Sequence, residues 1–180
     1  MNRIDQALAK LSELGAHELK HINGDLAKHL NGTYNLLVQW GNPESLCMAG
    51  LYHAVYGTDG FPDQLVPLDQ RETIATLVGS EAEKLVYFYG ACDRSYFYQE
   101  ISLGDNPSYR DRFTGETFKP TRNVVSSFCE LTFANELEIA SKTKAFFDQY
   151  PHITKLFNRF EGLVSEPAFN EYKKIFGVDT

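Results

Sequence analysis

Apolar side chains recur every three or four residues along most of this chain, and glycine, proline or an Asn-Gly pair interrupts the pattern at short intervals. That spacing places one apolar stripe on each of a series of short helices, and such stripes leave water only by packing on one another. Ile4, Ala7, Leu8, Leu11 and Leu14 form the first stripe, which Gly15 ends. A second helix is expected from Glu18 toward Leu30, with a break at Asn31-Gly32 and a resumed apolar face from Thr33 to Trp40. Asn42-Pro43 predicts an N-cap followed by proline at the first helical position, hence a helix from Glu44 to Tyr56. Gly57 to Leu68 is rich in turn residues and reads as a loop. Asp69 with Glu72, and Ser80 with Glu83, have the spacing of capping boxes, and the second of these helices should reach about Asp93. Residues 95–120 look irregular, with a short hairpin over Arg112 to Phe118. From Asn123 the helical pattern returns, with breaks near Lys142, Pro151 and Glu166-Pro167. The expectation is an all-α bundle, a single domain over residues 1–180, with a long central loop and one short β-hairpin.

Charge and composition narrow the function. The 180 residues carry a net charge of −7, which disfavours a nucleic-acid surface built on clustered Lys and Arg and leaves room for a small anionic substrate. No apolar run approaches a membrane span. The first residues are charged at Arg3, Asp5 and Lys10, unlike a secretory signal, so a cytoplasmic protein is expected. Cys47, Cys92 and Cys129 are odd in number and widely spaced, and read as buried thiols. Phe146, Phe147, Tyr150, Leu156, Phe157 and Phe160 recur at helical spacing, as a core or as the contact of a homodimer.

Four of the five histidines lie in the first 53 residues: His17, His21, His29 and His53. His17 to His21 spells H-E-L-K-H, the zincin pattern in which two histidines one helical turn apart bind zinc and Glu18 would be the general base. Ala27 stands where a longer zincin motif needs a third histidine, and too little chain precedes His17 to build a protease cleft. That motif is therefore set aside. A second set is distributed over three expected helices: His29, His53 in A-G-L-Y-H, and Asp93 in G-A-C-D-R. Helices packed side by side can aim such residues into one pocket, and imidazole with carboxylate suits manganese, iron or zinc.

These motifs resemble two families. A-G-L-Y-H-A-V-Y-G-T-D, together with His29 and G-A-C-D-R, is similar in order to the metal-binding segments of HD-domain phosphohydrolases that act on alarmone nucleotides, over about residues 20–95. H-L-N-G-T (29–33), W-G (40–41), A-G-L-Y-H-A-V-Y-G-T (49–58) and the D-R pair resemble the signature of a narrower family of unknown function. The first resemblance implies an HD-like helical fold, with core motifs over 17–95 completed by helices over 121–177, and a divalent metal, Mn, Fe or Zn, on His29, His53 and Asp93. Ala54 departs from it, because HD proteins carry an aspartate there. His21 is expected as the fourth ligand, and Asp59 and Arg94 as catalytic or substrate-binding residues.

Glu130, Asn135 and Glu136 could reach the pocket from a later helix, and Arg71, Lys84 and Arg94 could contact phosphate. The functional expectation is a metal-dependent hydrolase of a small phosphorylated or nucleotide-like substrate. The alternatives are an iron-dependent oxygenase of HD type and a metal-free small-molecule-binding or interaction protein. One manganese or zinc per chain would fit the first, two irons the second, and no metal the third.

Overall fold

The computed structural model describes residues 2–178 apart from 23, 105, 144–146, 149 and 151. It is mostly helical. The helices are α1 (Arg3–Glu13), α2 (Leu26–Gln39), α3 (Glu44–Tyr52), α4 (Arg71–Val78), α5 (Ser80–Gly90), α6 (Arg94–Leu103), α7 (Arg122–Ala140), α8 (Ile153–Asn158) and α9 (Glu166–Phe176). Two antiparallel ribbons of two-residue strands accompany them, β1 (Lys20–His21) with β2 (Gly24–Asp25) and β3 (Tyr109–Arg110) with β4 (Thr117–Phe118). Among the described residues no helix is long and apolar enough to cross a membrane.

The longest helix, α7, lies at the centre and packs against α2, α3, α5 and α9. Its apolar residues, among them Phe128, Leu131, Phe133 and Leu137, are fully buried, yet it also buries Glu130, Asn135 and Glu138. Each of these polar groups is tied to another element. Glu130 accepts from the Ser165 amide and hydroxyl at the start of α9 and from the Asn42 amide between α2 and α3. Tyr52 on α3 donates to the Ala7 carbonyl of α1 at 2.8 Å, fixing α1 on the bundle.

Several expectations are revised. Lys20–His21 and Gly24–Asp25 pair as a ribbon in place of the expected helix, because Leu26 and Ala27 amides bond back to the carbonyls of Leu19 and Ala16, and Asp25 caps the helix that follows through the Lys28 amide. Asn31-Gly32 does not break α2. A methyl group at Gly32 would lie 2.6 Å from Glu138 Oε1 and 2.7 Å from its Cγ, so this glycine serves the close approach of α7. The α3 helix stops at Tyr52, four residues early, and residues 53–57 turn into the loop. Ser80 makes no capping bond, and α5 ends at Gly90.

Residues 94–103 are helical, not irregular: Asp93 caps α6 by accepting from the Tyr96 amide. The hairpin is present, with paired strands that bracket residues 111–116. Cys47, Cys92 and Cys129 are buried and free. Phe147, Phe157 and Phe160 are core residues, while Tyr150 is half exposed; Phe146 and Pro151 lie outside the described residues.

Gly32→Ala is expected to destabilise the protein by about 1–3 kcal/mol despite alanine's higher helix propensity, because Glu138 is held by buried His29 and by Lys142 and cannot yield. Urea denaturation checks this, and a stabilised variant would refute the close-approach argument.

Candidate functional site

A cavity of about 940 Å³ opens between the β1 ribbon, the loop after α3, α6, α7 and α8. Three histidines from three different elements meet at its wall. His21 comes from β1, His29 from the first turn of α2, and His53 from the end of α3. The His21 and His29 rings stack with centroids 4.0 Å apart, and His53 meets His29 edge-on at 5.2 Å. The sequence-based grouping of these three histidines thus matches their placement, although His21 arrives on a ribbon and not on a helix.

Their protonation states differ. His53 Nδ1 donates to the Gly50 carbonyl at 2.8 Å, which leaves Nε2 as the lone-pair nitrogen of a neutral ring. Burial, with the neighbouring His29 adding to it, lowers the His53 pKa from 6.5 to about 3. Burial and His29 likewise lower His21 to about 4, and its buried Nδ1 has no hydrogen-bond partner. His29 is different. Its Nδ1 lies 2.7 Å from Glu138 Oε2 and its Nε2 lies 2.9 Å from Asn135 Oδ1. Asn135 turns its amide nitrogen toward Glu136 Oε1, so it offers His29 an acceptor. Both ring nitrogens therefore donate, and His29 is an imidazolium. Burial opposes the charge on Glu138, but His29 and Lys142 outweigh it and hold its carboxyl below the ordinary range.

The other predicted residues fall on both sides of the cavity wall. Asp93 and Asp59 do not line it. Asp93 Oδ1 accepts from the Tyr96 amide and the Ser95 hydroxyl, and Oδ2 faces Arg110. Asp59 Oδ2 accepts from the Arg94 amide at 3.0 Å. Both carboxylates satisfy the free N–H groups that begin α6, as acidic residues do at helix N-termini. Arg94 does line the cavity. Its guanidinium lies 5.1 Å from the Tyr89 ring centroid, its Nε is sealed from solvent without a partner, and no carboxylate among the described residues is within salt-bridge distance. Arg71 and Lys84 instead pair with Glu83 and Glu81. The loop after α3 covers the cavity through Thr58, Gly60 and Phe61.

Whether a divalent metal fits can be judged from the donor atoms. Both nitrogens of His29 are taken, Asp93 is spent on the helix cap, and Ala54 presents a methyl group to the cavity. His53 Nε2 and His21 remain. Among the described residues no group of three His, Cys, Asp or Glu side chains is placed to hold a metal ion. The four-residue centre on His21, His29, His53 and Asp93 is not assembled, because helix capping and the Glu138 pair claim two of its members.

Sequence reasoning overlooked Glu138 and Tyr98. Glu138 follows Asn135 by three residues on α7, the spacing of one helical face, and that pairing within A-N-E-L-E was the available signal. Tyr98 sits one turn after Arg94 on the unforeseen α6 and faces the same cavity.

Comparison with known proteins adds one match. Residues 10–94, just under half of the chain, match the family described as a domain of unknown function, DUF6817. The matched segment contains all three clustered histidines and ends on Arg94. No curated protein and no solved structure matches the chain.

The histidines set a pH dependence. A neutral imidazole with a depressed pKa binds fewer protons folded than unfolded, so stability is complete above about pH 6.5 and falls as acid is added toward the folded values. His53 alone should contribute a slope of up to about 1.4 kcal/mol per pH unit over that window. Urea denaturation of wild type and His53→Leu across the window should show this slope in the difference between them, and parallel profiles would contradict it.

Proposed function

We propose that the cavity binds a small molecule with a large apolar body and one anionic group, the anion seated on Arg94. The unpaired guanidinium carries this reading. A half-buried cation whose Nε is sealed from water and has no carboxylate in contact is unfavourable, and an anionic ligand would offset that cost. The cluster around it is unbalanced in the same sense: Lys142, His29 and Arg94 are cations, whereas only Glu138 and Glu136 are anions. The mouth repeats the imbalance. Lys20, Lys155 and Arg159 line it without an acidic partner among the lining residues there, although the whole chain is negative. A basic concavity on an acidic protein concentrates anions at its own mouth. Ile22, Phe61, Ile139, Leu156 and Phe157 supply apolar wall for the ligand's body.

Of the three functional classes that the sequence suggests, this is the metal-free one. HD-type hydrolysis or iron oxygenation would require His29 and Asp93 to leave their present partners. Neutral His53 and His21 offer lone pairs to a hydroxyl or amide on the bound molecule, which accounts for their unprotonated nitrogens without a metal.

A matched pair of probes tests the proposal: anilinonaphthalene sulfonate and phenylnaphthylamine share one aromatic body, and only the first carries an anion. Wild-type protein should bind the sulfonate more tightly by fluorescence titration. Arg94→Gln should weaken sulfonate binding about 10–100-fold, the worth of a charge-assisted hydrogen bond, and leave the uncharged probe nearly unaffected. Equal binding of both probes by wild type, or equal losses in the variant, would sink the assignment.

A further inference from the structure

Glu136 is the cavity's acidic side chain, and nothing in the proposed binding mode yet uses it. It lies on α7 beside Asn135, whose amide donates to Oε1 at 2.9 Å, and it shares the cavity with Arg94. An anion placed on Arg94 would face this carboxylate in an environment with little water to screen them. Two like charges held that closely in a low-dielectric site do not both stay ionised.

We propose that Glu136 takes up one proton as the ligand's anion settles on Arg94, and then donates that proton to the anion. The inference rests on the Arg94 reading above. The balance is simple: a hydronium in bulk loses a proton, the Glu136 carboxylate gains it, and no bond to carbon or phosphorus changes. In the free protein the cluster alternates in sign from Lys142 through Glu138, His29 and Asn135 to Glu136 and Arg94. Binding the anion with a proton removes the repulsion between Glu136 and the ligand and leaves the rest of that chain intact.

The groups around Glu136 allow this and do not compete for the proton. Arg94 and Tyr98 face it from α6, Tyr89 and Cys92 act on the same cluster from around α5, and His29 faces it from α2. Burial pushes the Tyr89 hydroxyl up to about 12 and the Tyr98 hydroxyl and Cys92 thiol well up, so none of these titrates near neutrality. His21 and His53 stay neutral there, as shown above. Burial also lifts the Glu136 carboxyl above its usual range, against the pull of Arg94, His29 and the Asn135 amide, so it is already poised to protonate. On the opposite wall stand His152, Lys155 and Arg159.

Anilinonaphthalene sulfonate is a suitable probe, because its sulfonate stays ionised and any pH dependence belongs to the protein. The measurement uses the full chain carrying His152→Gln, which removes the histidine that lines the cavity beside Lys155 and Arg159. Affinity should rise as the pH is lowered from about 8 to about 5, approaching about tenfold per pH unit where one proton is linked. Calorimetry in two buffers of different ionisation heat should give an uptake approaching one proton per probe bound. In Glu136→Gln the profile should flatten, with tight binding already present at the upper pH. Zero proton uptake in the protein with Glu136 intact overturns the proposal, and so does a slope that persists in Glu136→Gln, which would assign the proton to another group. The calorimetric result stands without the variant if Glu136→Gln does not fold. Tighter binding of the sulfonate than of phenylnaphthylamine with a flat pH profile would overturn this inference alone. The absence of that preference would overturn the Arg94 reading as well.

Discussion

The ion pair between His29 and Glu138 is the interaction on which the rest of the site depends. Both side chains are almost fully buried, at 3% exposure each, and they join α2 to the central helix α7. A carboxylate in such a place is tolerated only when charge and hydrogen bonds surround it, and His29 with Lys142 supplies both. Gly32 makes the contact possible, since any side chain there would occupy the volume of Glu138. Once His29 is fixed as a cation, its neighbours follow. His21 and His53 stay neutral beside it, Asn135 must present its oxygen, and the Asn135 amide then turns to Glu136. One buried pair thus constrains four other side chains.

The same pair, with Asn135, takes up both nitrogens that His29 would need as a metal ligand. A ligand histidine needs a free nitrogen, and His29 has none. A ligand carboxylate needs a free oxygen facing the site, and Asp93 turns both of its oxygens to the start of α6 and to Arg110. The consequence is a different use of the same short motif. In C-D-R the aspartate builds the helix, and the arginine that follows is delivered by the first turn into the cavity. Asp59 reinforces this from the loop after α3 by accepting from the Arg94 amide. Asp59 is spent on the Arg94 amide and Asp93 on the Tyr96 amide, and no carboxylate among the described residues lies within salt-bridge distance of the Arg94 guanidinium.

The cavity also reverses the electrostatic character of the chain. A net charge of −7 is spread over the exterior, where water screens it, while the basic groups that matter are collected at one concave surface. Composition therefore describes the charge of the whole chain, and the cavity lining has the opposite sign.

The sequence by itself determined the helical character, the loop from Gly57 and the hairpin near residue 115, because each is written in local spacing or in turn residues, whereas the grouping of His21, His29 and His53 rested on a resemblance. It placed α3, α7 and α9 to within a few residues, since proline, serine caps and apolar stripes mark their ends. It could not place α6, because an aromatic-rich segment such as Y-F-Y carries little amphipathic signal, and its capping aspartate looked like a metal ligand. Nor could it tell that Asn31-Gly32 continues a helix, for the reason lies 106 residues away from Gly32 in the side chain of Glu138. The tertiary structure alone decided which histidine is charged, which acids are spent on capping and which cation is left unpaired. Those outcomes depend on how many donors and acceptors meet at one buried point, and that count exists only once distant segments have packed together.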